Sequence, residues 1–178
     1  MRKVLGREFF DRPALTVARE LLGKYLVRKM DEDTVALMIT ETEAYFGFQD
    51  KGSHAHRGRT PRNAPMFEQG GTIYVYFTYG MHWMLNIVCG RKDFPAAVLV
   101  RGVEEYIGPA RLTKALRINK KLNAKPLSKK SGLWVEDRGI IISPAQTKKT
   151  PRVGIPNRGE WTSRLWRFVL VKPKKGNL

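Results

Sequence analysis

Two runs of β-branched and aromatic residues, at 72–79 and 82–89, are separated only by Gly80 and Met81. Such runs are typical of β-strands, and a glycine in a connection of two residues is typical of a tight hairpin. The sequence therefore predicts an antiparallel β-hairpin in the middle of the chain.

Side chains alternate between the two faces of the first strand of this hairpin. Val75, Phe77 and Tyr79 share one face, and the tyrosines at even positions share the other. We expect Val75 and Phe77 to pack in the core. Tyr79 lies at the tip beside the turn, where burial in a core is harder to achieve.

The rest of the chain predicts short strands and few helices. One amphipathic helix begins near Pro13 and ends at Gly23, and another follows Pro109. The other predicted strands cover residues 24–28, 34–43, 97–103, 133–135, 140–142 and 165–171. We predict the α+β class: a single mixed domain over residues 1–178 with a mainly antiparallel β-sheet core, peripheral helices and a protruding β-hairpin.

The charge of the chain is strongly positive. Its 178 residues include 33 Lys and Arg against 16 Asp and Glu, a formal net charge of +17. The basic residues are spread along the sequence, which predicts a broad binding face for a polyanion. A merely basic soluble protein and a binder of membrane surfaces remain alternatives, because charge alone does not choose among anionic partners.

Cys89 is the single cysteine, which excludes an internal disulfide and zinc sites built from four cysteines. The N-terminal residues lack the apolar stretch of a signal peptide, and no uncharged run is long enough to span a bilayer. We therefore expect an intracellular protein with no membrane association.

Two carboxylates stand at the end of the predicted strand 34–43. Strict alternation places Glu41 and Glu43 on the face of Ile39, which should pack on the core. An unpaired buried carboxylate is costly, so these acids lie in water beyond the strand, pair with arginine, or serve a function. Arg101 interrupts another apolar strand and could be the partner of Glu43.

Residues 46–71 predict a long ordered loop with one helical turn, and such loops are usually functional. His54 and His56 of this loop could form a metal cluster with the two glutamates, but no helix-borne HExxH motif or cysteine pair accompanies them, so we predict no metal site. His56 is expected to be solvated. Glu41 could also be the second carboxylate of a sugar hydrolase, although orienting a neighbour or capping the loop is the simpler role.

Sequence blocks in a characteristic order run from residue 41 almost to the C-terminus. They are ETEAY at 41–45, SHA at 53–55, RTPRNAPMF at 59–67, GTIYVYFTYGMHWMLN at 71–86, VLVRGVE at 98–104, GPARLTKALRIN at 108–119, and PRVGI, GEW and RFVL near the C-terminus. Together these blocks resemble the alkyladenine (3-methyladenine) DNA glycosylase family. The resemblance implies base excision repair of alkylated or deaminated purines in DNA, in a single α/β domain of mainly antiparallel strands, without metal or cofactor.

The resemblance also implies roles for three residues in hydrolysis. Glu43 matches the general base that activates the water, and Arg101 matches a residue that helps to hold that water. A main-chain carbonyl that contributes in the family falls at Val153. We further expect Arg101 to keep Glu43 ionised near neutral pH, against the upward pKa shift that burial produces.

The base pocket and the DNA wedge follow from the same resemblance. Tyr45, His54 and Tyr76 match residues that stack on and hydrogen-bond an extruded base. Asn86 matches the residue that discriminates against purines with an exocyclic amino group at the guanine position. Tyr79 matches the wedge that fills the gap left in the duplex.

The implied partner is double-stranded DNA containing damaged purines, bound by a monomer inside the cell, in the cytoplasm or nucleoid of a prokaryote or the nucleus of a eukaryote. One departure from the family is the short connection of residues 102–107, where many relatives carry a longer charged segment. The rival interpretation, from charge alone, is a non-catalytic basic nucleic-acid-binding or ribosomal-type module.

Overall fold

A twisted, mostly antiparallel β-sheet of nine strands dominates the computed structural model, which describes residues 2–171. The strands are β1 (Lys3–Val4), β2 (Tyr25–Met30), β3 (Asp33–Phe46), β4 (Ile73–Thr78), β5 (His82–Val88), β6 (Ala96–Val103), β7 (Leu133–Asp137), β8 (Thr147–Thr150) and β9 (Arg167–Leu170). The helices of this part of the chain are α1 (Arg7–Phe10), α2 (Ala14–Glu20), α3 (Pro109–Ala115) and α4 (Glu160–Ser163), with 3-10 turns at Ala64–Phe67, Lys120–Leu122 and Pro144–Gln146. The predicted α+β class is confirmed, while Met1 and residues 172–178 of the predicted domain lie outside the described residues.

The longest strand, β3, connects the two halves of the sheet. The strand order is β1-β7-β2-β3-β6-β5-β4, and β9 pairs with β3 and with β8. The first half of β3 pairs with β2, and the second half lies between β6 and β9. This central position makes the second half of β3 the natural place for a buried site.

Helix α2 covers one face of the sheet. Ala14, Val17 and Ala18 are buried in the main hydrophobic core, which also receives apolar side chains of β3, β5 and β6. Gly23 follows the helix with φ +80, a left-handed conformation that glycine adopts without strain. The predicted helix after Pro13 and its glycine stop are therefore confirmed as α2, whereas the short helix α1 before it was not predicted.

In the C-terminal half, one predicted strand is wrong and one strand was missed. Residues 140–142 form no strand, because Ile140 and Ile142 pack their side chains against Gly23 while their backbone remains unpaired in the sheet. Strand β8 was not predicted, since its two lysines interrupt any apolar pattern. Lysines are tolerated there because β8 pairs only with β9, and charged edges discourage further strand addition.

The central hairpin is confirmed as β4 and β5, with a connection one residue longer than predicted. The last register pair is Thr78 with His82, so residues 79–81 form the connection. Tyr79 has φ +52 and Gly80 has φ +67, and the Met81 N–H donates to the Thr78 carbonyl at 3.1 Å. A tyrosine in the left-handed region is strained, which is common at functional positions.

Alternation along β4 holds only in part. Val75 is buried in the core, as predicted. Phe77 is 44% exposed, so its predicted burial is wrong: the hairpin extends past the core at this point, and the ring packs on Trp83, with centroids 4.7 Å apart. Among residues 2–171, no helix combines the length and the apolar character of a membrane span.

Candidate active site

The pairing of β3 with β6 is irregular just before Glu43. Thr40 and Arg101 have no partner in the register, which runs Ile39↔Val103, Glu41↔Gly102, Thr42↔Val100 and Glu43↔Leu99. Each strand thus carries one extra residue, as in a β-bulge, and such bulges re-aim the side chains that follow. A Cβ atom on Gly102 would lie 3.3 Å from the Cβ of Glu41, so glycine permits this close approach.

This irregularity moves the two glutamates away from the core face. Ile39 packs in the main core before it, and Ala44 packs in the same core after it. The Thr42 hydroxyl, on the face of Ala44, donates to the Ala18 carbonyl of α2 at 2.7 Å. Glu43 therefore lies on the opposite face, and the prediction that it shares the face of Ile39 is wrong because regular alternation does not continue through a bulge.

Glu43 is completely buried, with 0% of its surface exposed. The Tyr45 hydroxyl donates to its Oε2 at 2.9 Å, and the Val153 N–H donates to its Oε1 at 2.7 Å. Burial raises the pKa of Glu43, while the Arg101 charge, these two hydrogen bonds and the Arg152 charge oppose the rise. The charged form of this buried carboxylate is therefore stabilised by specific donors.

Arg101 is shared between the two glutamates. Its Nε lies 2.8 Å from Oε1 of Glu41 and 3.4 Å from Oε1 of Glu43. Arg167 Nε also contacts Glu41 Oε1, at 2.6 Å. The expected pairing of Arg101 with Glu43 therefore exists, but Glu41 is the nearer partner. The expectation that Arg101 opposes the upward pKa shift from burial is confirmed, although burial is the larger effect and the pKa of Glu43 stays raised.

A cavity of about 440 Å³ opens beside Glu43, a volume within the usual range of small-molecule sites. Basic side chains of Lys51, Arg57 and Arg158 stand on its wall. The structure brings all the predicted site residues together here: with Glu43 behind the wall, the lining includes Tyr45, His54, Tyr76, Tyr79, Asn86, Arg101 and Val153. Val153 contacts Glu43 through its N–H, whereas its carbonyl was the group expected at this site.

Aromatic rings form one side of the cavity. The His54 ring meets the Tyr76 ring edge-on, with centroids 4.6 Å apart, and its Nδ1 lies 3.4 Å from the Tyr74 hydroxyl. Burial raises the pKa of Tyr76 to about 12 and, with the Arg62 charge, lowers the pKa of His54. Near neutral pH both rings are therefore uncharged, which suits contact with a flat, largely apolar ligand.

Buried Asn86 closes the cavity from β5. Its Nδ2 donates to the Tyr74 carbonyl at 3.3 Å, and Asn86 lines the cavity on the same face of the hairpin as Met84. His56, predicted to be solvated, is half-buried in the wall with Nδ1 2.9 Å from the Ser53 carbonyl, so that prediction is wrong.

Comparison with known proteins shows the family to which this chain belongs. A family model described as methylpurine-DNA glycosylase matches residues 8–107 and 104–174. The chain belongs to the methylpurine-DNA glycosylase family. Similar proteins include one of Methanocella arvoryzae described as "Putative 3-methyladenine DNA glycosylase", 43% identical over 187 residues covering 93% of this chain and 91% of that protein. A protein of Clostridium botulinum with the same description is 38% identical over 199 residues, covering 96% and 97%.

The similarity extends to a mouse protein described as "DNA-3-methyladenine glycosylase". It is 36% identical over 197 residues, which cover 93% of this chain and 59% of the mouse protein. Membership of the methylpurine-DNA glycosylase family makes this protein a hydrolase of N-glycosyl bonds that acts on DNA in base excision repair of alkylation damage.

The two parts of the methylpurine-DNA glycosylase match meet at residues 104–107, within the connection that is short in this chain. Val103 and Tyr106 exchange backbone hydrogen bonds of 3.1 Å in both directions, so the chain turns tightly between β6 and α3. None of the residues 102–107 lines the cavity, so the short connection forms no part of its wall.

An ion pair that sequence reasoning missed supports the site from behind. Arg152 donates through both terminal nitrogens to Asp50, at 2.6 and 2.8 Å, and both side chains are fully buried. Arg152 also donates to the Ala44 carbonyl at 3.1 Å, and its guanidinium lies 4.7 Å from the Tyr45 ring centroid. The sequence contains only weak signals for this ion pair. Arg152 lies in the PRVGI block, and Asp50 lies 102 positions away in a loop without periodicity.

No group of three or more His, Cys, Asp or Glu side chains is close enough to hold a metal ion among residues 2–171. His54 and His56 therefore form no such group with Glu41 and Glu43. Cys89 is buried, and burial raises its pKa well above the ordinary value for a thiol.

Proposed function

We propose that this protein is a monofunctional DNA glycosylase that releases alkylated or deaminated purines from double-stranded DNA through a water activated by Glu43. The purines considered are 3-methyladenine, 7-methylguanine, hypoxanthine and ethenoadenine. The observation that carries the proposal is a fully buried carboxylate that contacts Tyr45, Val153 and Arg101, three residues that line the aromatic cavity.

The volume of the cavity supports base flipping. A space of about 440 Å³ can enclose one purine but not a duplex, so the target nucleotide must leave the helical stack to enter it. Tyr45, Tyr76 and His54 offer ring surfaces and polar atoms to the everted base. Asn86, at the inner wall, is the residue proposed to select against an exocyclic amino group at the guanine position.

Tyr79 is proposed to occupy the space that the base vacates. Its side chain is 77% exposed at the tip of a hairpin, where an aromatic ring gains little from the protein itself. A flat ring can stack on the neighbouring base pairs in the duplex. The left-handed φ of Tyr79 adds support, because backbone strain of this kind persists where function requires it.

The chemistry that we propose is hydrolysis without a covalent intermediate. Water attacks C1′ of the sugar, the bond from C1′ to the purine nitrogen breaks with its electrons going to the purine, and Glu43 accepts a proton from the water. The negative charge of Glu43 also stabilises oxocarbenium character at C1′. Arg101 and the backbone of Val153 would hold the water, and a purine made cationic by alkylation needs no further proton to leave.

His54 fits a binding role better than the role of an acid. Its pKa is lowered by burial and by the Arg62 charge, so the ring carries no extra proton near neutral pH. We propose that it hydrogen-bonds the everted base. A group other than His54 then protonates neutral leaving groups such as hypoxanthine.

The net charge of +17 supports binding to the phosphate backbone, with counterion release as the source of affinity that does not depend on sequence. We propose that the protein acts as a monomer on damaged double-stranded DNA and works in association with DNA inside the cell. Its affinity for undamaged DNA should fall as the salt concentration rises.

Base release from duplexes that contain each of the four lesions, measured with and without a chelator, tests the proposal. We expect Glu43→Gln to bind the duplexes as the parent does and to release bases at least about a hundredfold more slowly, the usual range for loss of a general base. Glu160→Gln is the matched control, because Glu160 is exposed and its only ion pair within residues 2–171 is with Arg164.

Excision by Glu43→Gln at the parent's rate would refute the proposed role of Glu43. A parent protein that binds DNA and releases none of the four bases would instead favour the non-catalytic, ribosomal-type interpretation. A rate that falls with chelator would contradict hydrolysis without metal.

A further inference from the structure

A second concave surface lies next to the hairpin and has no part in the proposed chemistry. This groove, of about 370 Å³, is bordered by the hairpin residues Met81, His82 and Trp83 and by α3 with the residues that follow it. Arg111, Lys114 and Arg117 line it, and all three are exposed. We name this surface the α3 groove.

The α3 groove and the base cavity lie on opposite faces of the hairpin. Met84 and Asn86 of β5 line the cavity, whereas Trp83 packs toward the core and lines the α3 groove. The Thr113 hydroxyl donates to the Trp83 carbonyl at 2.9 Å, which fixes α3 to the hairpin. The hairpin is thus a wall with one concave surface on each side and Tyr79 at its tip.

Both surfaces are basic. Lys51, Arg57 and Arg158 stand around the cavity, and Arg111, Lys114 and Arg117 line the α3 groove, without an acidic residue in either lining. Positive charge on both sides of a projecting aromatic tip matches a duplex, whose two phosphate backbones run along the two sides of a groove.

We infer that the α3 groove holds the phosphodiester backbone of the strand opposite the damaged nucleotide. The inference rests on the proposed function. A tip that enters a groove of the duplex has one strand on each side, and the strand with the everted nucleotide must lie on the side of the cavity. The other side of the hairpin then faces the complementary strand.

One acidic neighbour stands near these cations. Arg117 Nη1 lies 3.1 Å from Oδ2 of Asp31, in a pair with side chains 69% and 86% exposed. Exposed pairs of this kind are weak, so a phosphate can replace Asp31 as the partner of Arg117. Arg111 and Lys114 have no acidic partner within 4.0 Å in the part of the chain from residue 2 to residue 171.

The test compares duplex and single-stranded oligonucleotides that carry the same lesion. The triple variant Arg111→Ala, Lys114→Ala, Arg117→Ala should bind the duplex about tenfold or more weakly. Its plot of log affinity against log salt should be shallower by roughly 2 to 3, as expected for the loss of three phosphate contacts. Its affinity for the single strand should stay within about twofold of the parent, because the groove takes only the complementary strand.

The matched control is the triple variant Lys129→Ala, Lys130→Ala, Lys148→Ala, which removes the same charge from exposed positions outside both surfaces. Its slope of log duplex affinity against log salt should change by less than half of the change seen in the groove variant. The inference is overturned if duplex affinity is unchanged in the groove variant, if single-strand affinity falls equally, or if the control loses as much.

The inference and the proposed function fail in different ways. Base release from the single-stranded substrate should proceed at the parent's rate in the groove variant and be lost in Glu43→Gln. A parent that releases no base from either substrate contradicts the proposed function. A parent that releases base, beside a groove variant that binds duplex equally well, contradicts the α3 groove alone.

Discussion

Removal of Asp50 should destabilise the protein more than the removal of any exposed acid. Asp50 accepts hydrogen bonds from both terminal nitrogens of Arg152, at 2.6 and 2.8 Å, and from the backbone N–H groups of Phe46 and Gly52, at 3.1 and 3.0 Å. Both charged side chains are 0% exposed. Asp50→Ala therefore leaves a buried guanidinium without its counter-charge.

Breaking a buried ion pair by removing one partner costs about 3–5 kcal/mol. The matched control is Glu160→Ala, because its pair with Arg164 also has a 2.8 Å contact but has side chains 35% and 67% exposed, and exposed pairs contribute about 0–1 kcal/mol. Urea unfolding followed by tryptophan fluorescence measures both. Trp161 and Trp166 contact Arg152 and report on this region directly.

The same substitution should also affect catalysis. Val153 follows Arg152 in the chain, and its N–H bond to Glu43 lowers the pKa of that carboxyl. When Arg152 loses its anchor, the Val153 hydrogen bond and the Arg152 charge, which both lower the pKa of Glu43, are held less firmly beside it, so this pKa rises further. Glu43 is then protonated up to a higher pH, so the acid limb of the rate of base release should move to higher pH.

Asp50→Asn keeps one side-chain oxygen with two acceptor sites, so it provides a folded variant for comparison if Asp50→Ala fails to fold. It should lose less stability than Asp50→Ala, and its acid limb should shift in the same direction. An Asp50→Ala protein that unfolds at the urea concentration of Glu160→Ala would refute the energetic argument. An unchanged acid limb in a folded Asp50 variant would refute the link to Glu43.

Two further predictions concern single residues of the site. Tyr79→Gly should stabilise the hairpin by about 1 kcal/mol, because it relieves the left-handed φ of +52. Tyr79→Gly and Tyr79→Ala should both weaken binding to lesion duplexes, and unchanged lesion affinity would count against the wedge. Glu41→Gln should move the acid limb of base release to lower pH. In the parent, Arg101 Nε lies 2.8 Å from Glu41 and 3.4 Å from Glu43. Without the charge of Glu41, Arg101 is left to pair with Glu43 and lowers the pKa of Glu43. A pH profile that stays in place or moves upward would contradict this role of Glu41.

Local patterns were sufficient to predict much of the fold. The hairpin of β4 and β5, helix α2 and the strand that carries Arg101 follow from alternation, turn residues and helix stops, which act over a few neighbouring residues. The site residues were named because ordered sequence blocks resembled a family. Local patterns failed at Phe77 and at residues 140–142, where the reach of the core decides burial and pairing.

The amino-acid sequence alone determined that the chain is strongly basic and forms an antiparallel sheet. It also determined that acidic and aromatic residues lie in the strands of that sheet. Tertiary structure alone decided which way Glu43 faces, because the bulge depends on the register between β3 and β6. It also decided that Asp50 meets Arg152 and that Glu41 is the nearer partner of Arg101. Alternation is a property of one strand, whereas register and ion pairing depend on segments that are distant in the chain and meet only after folding.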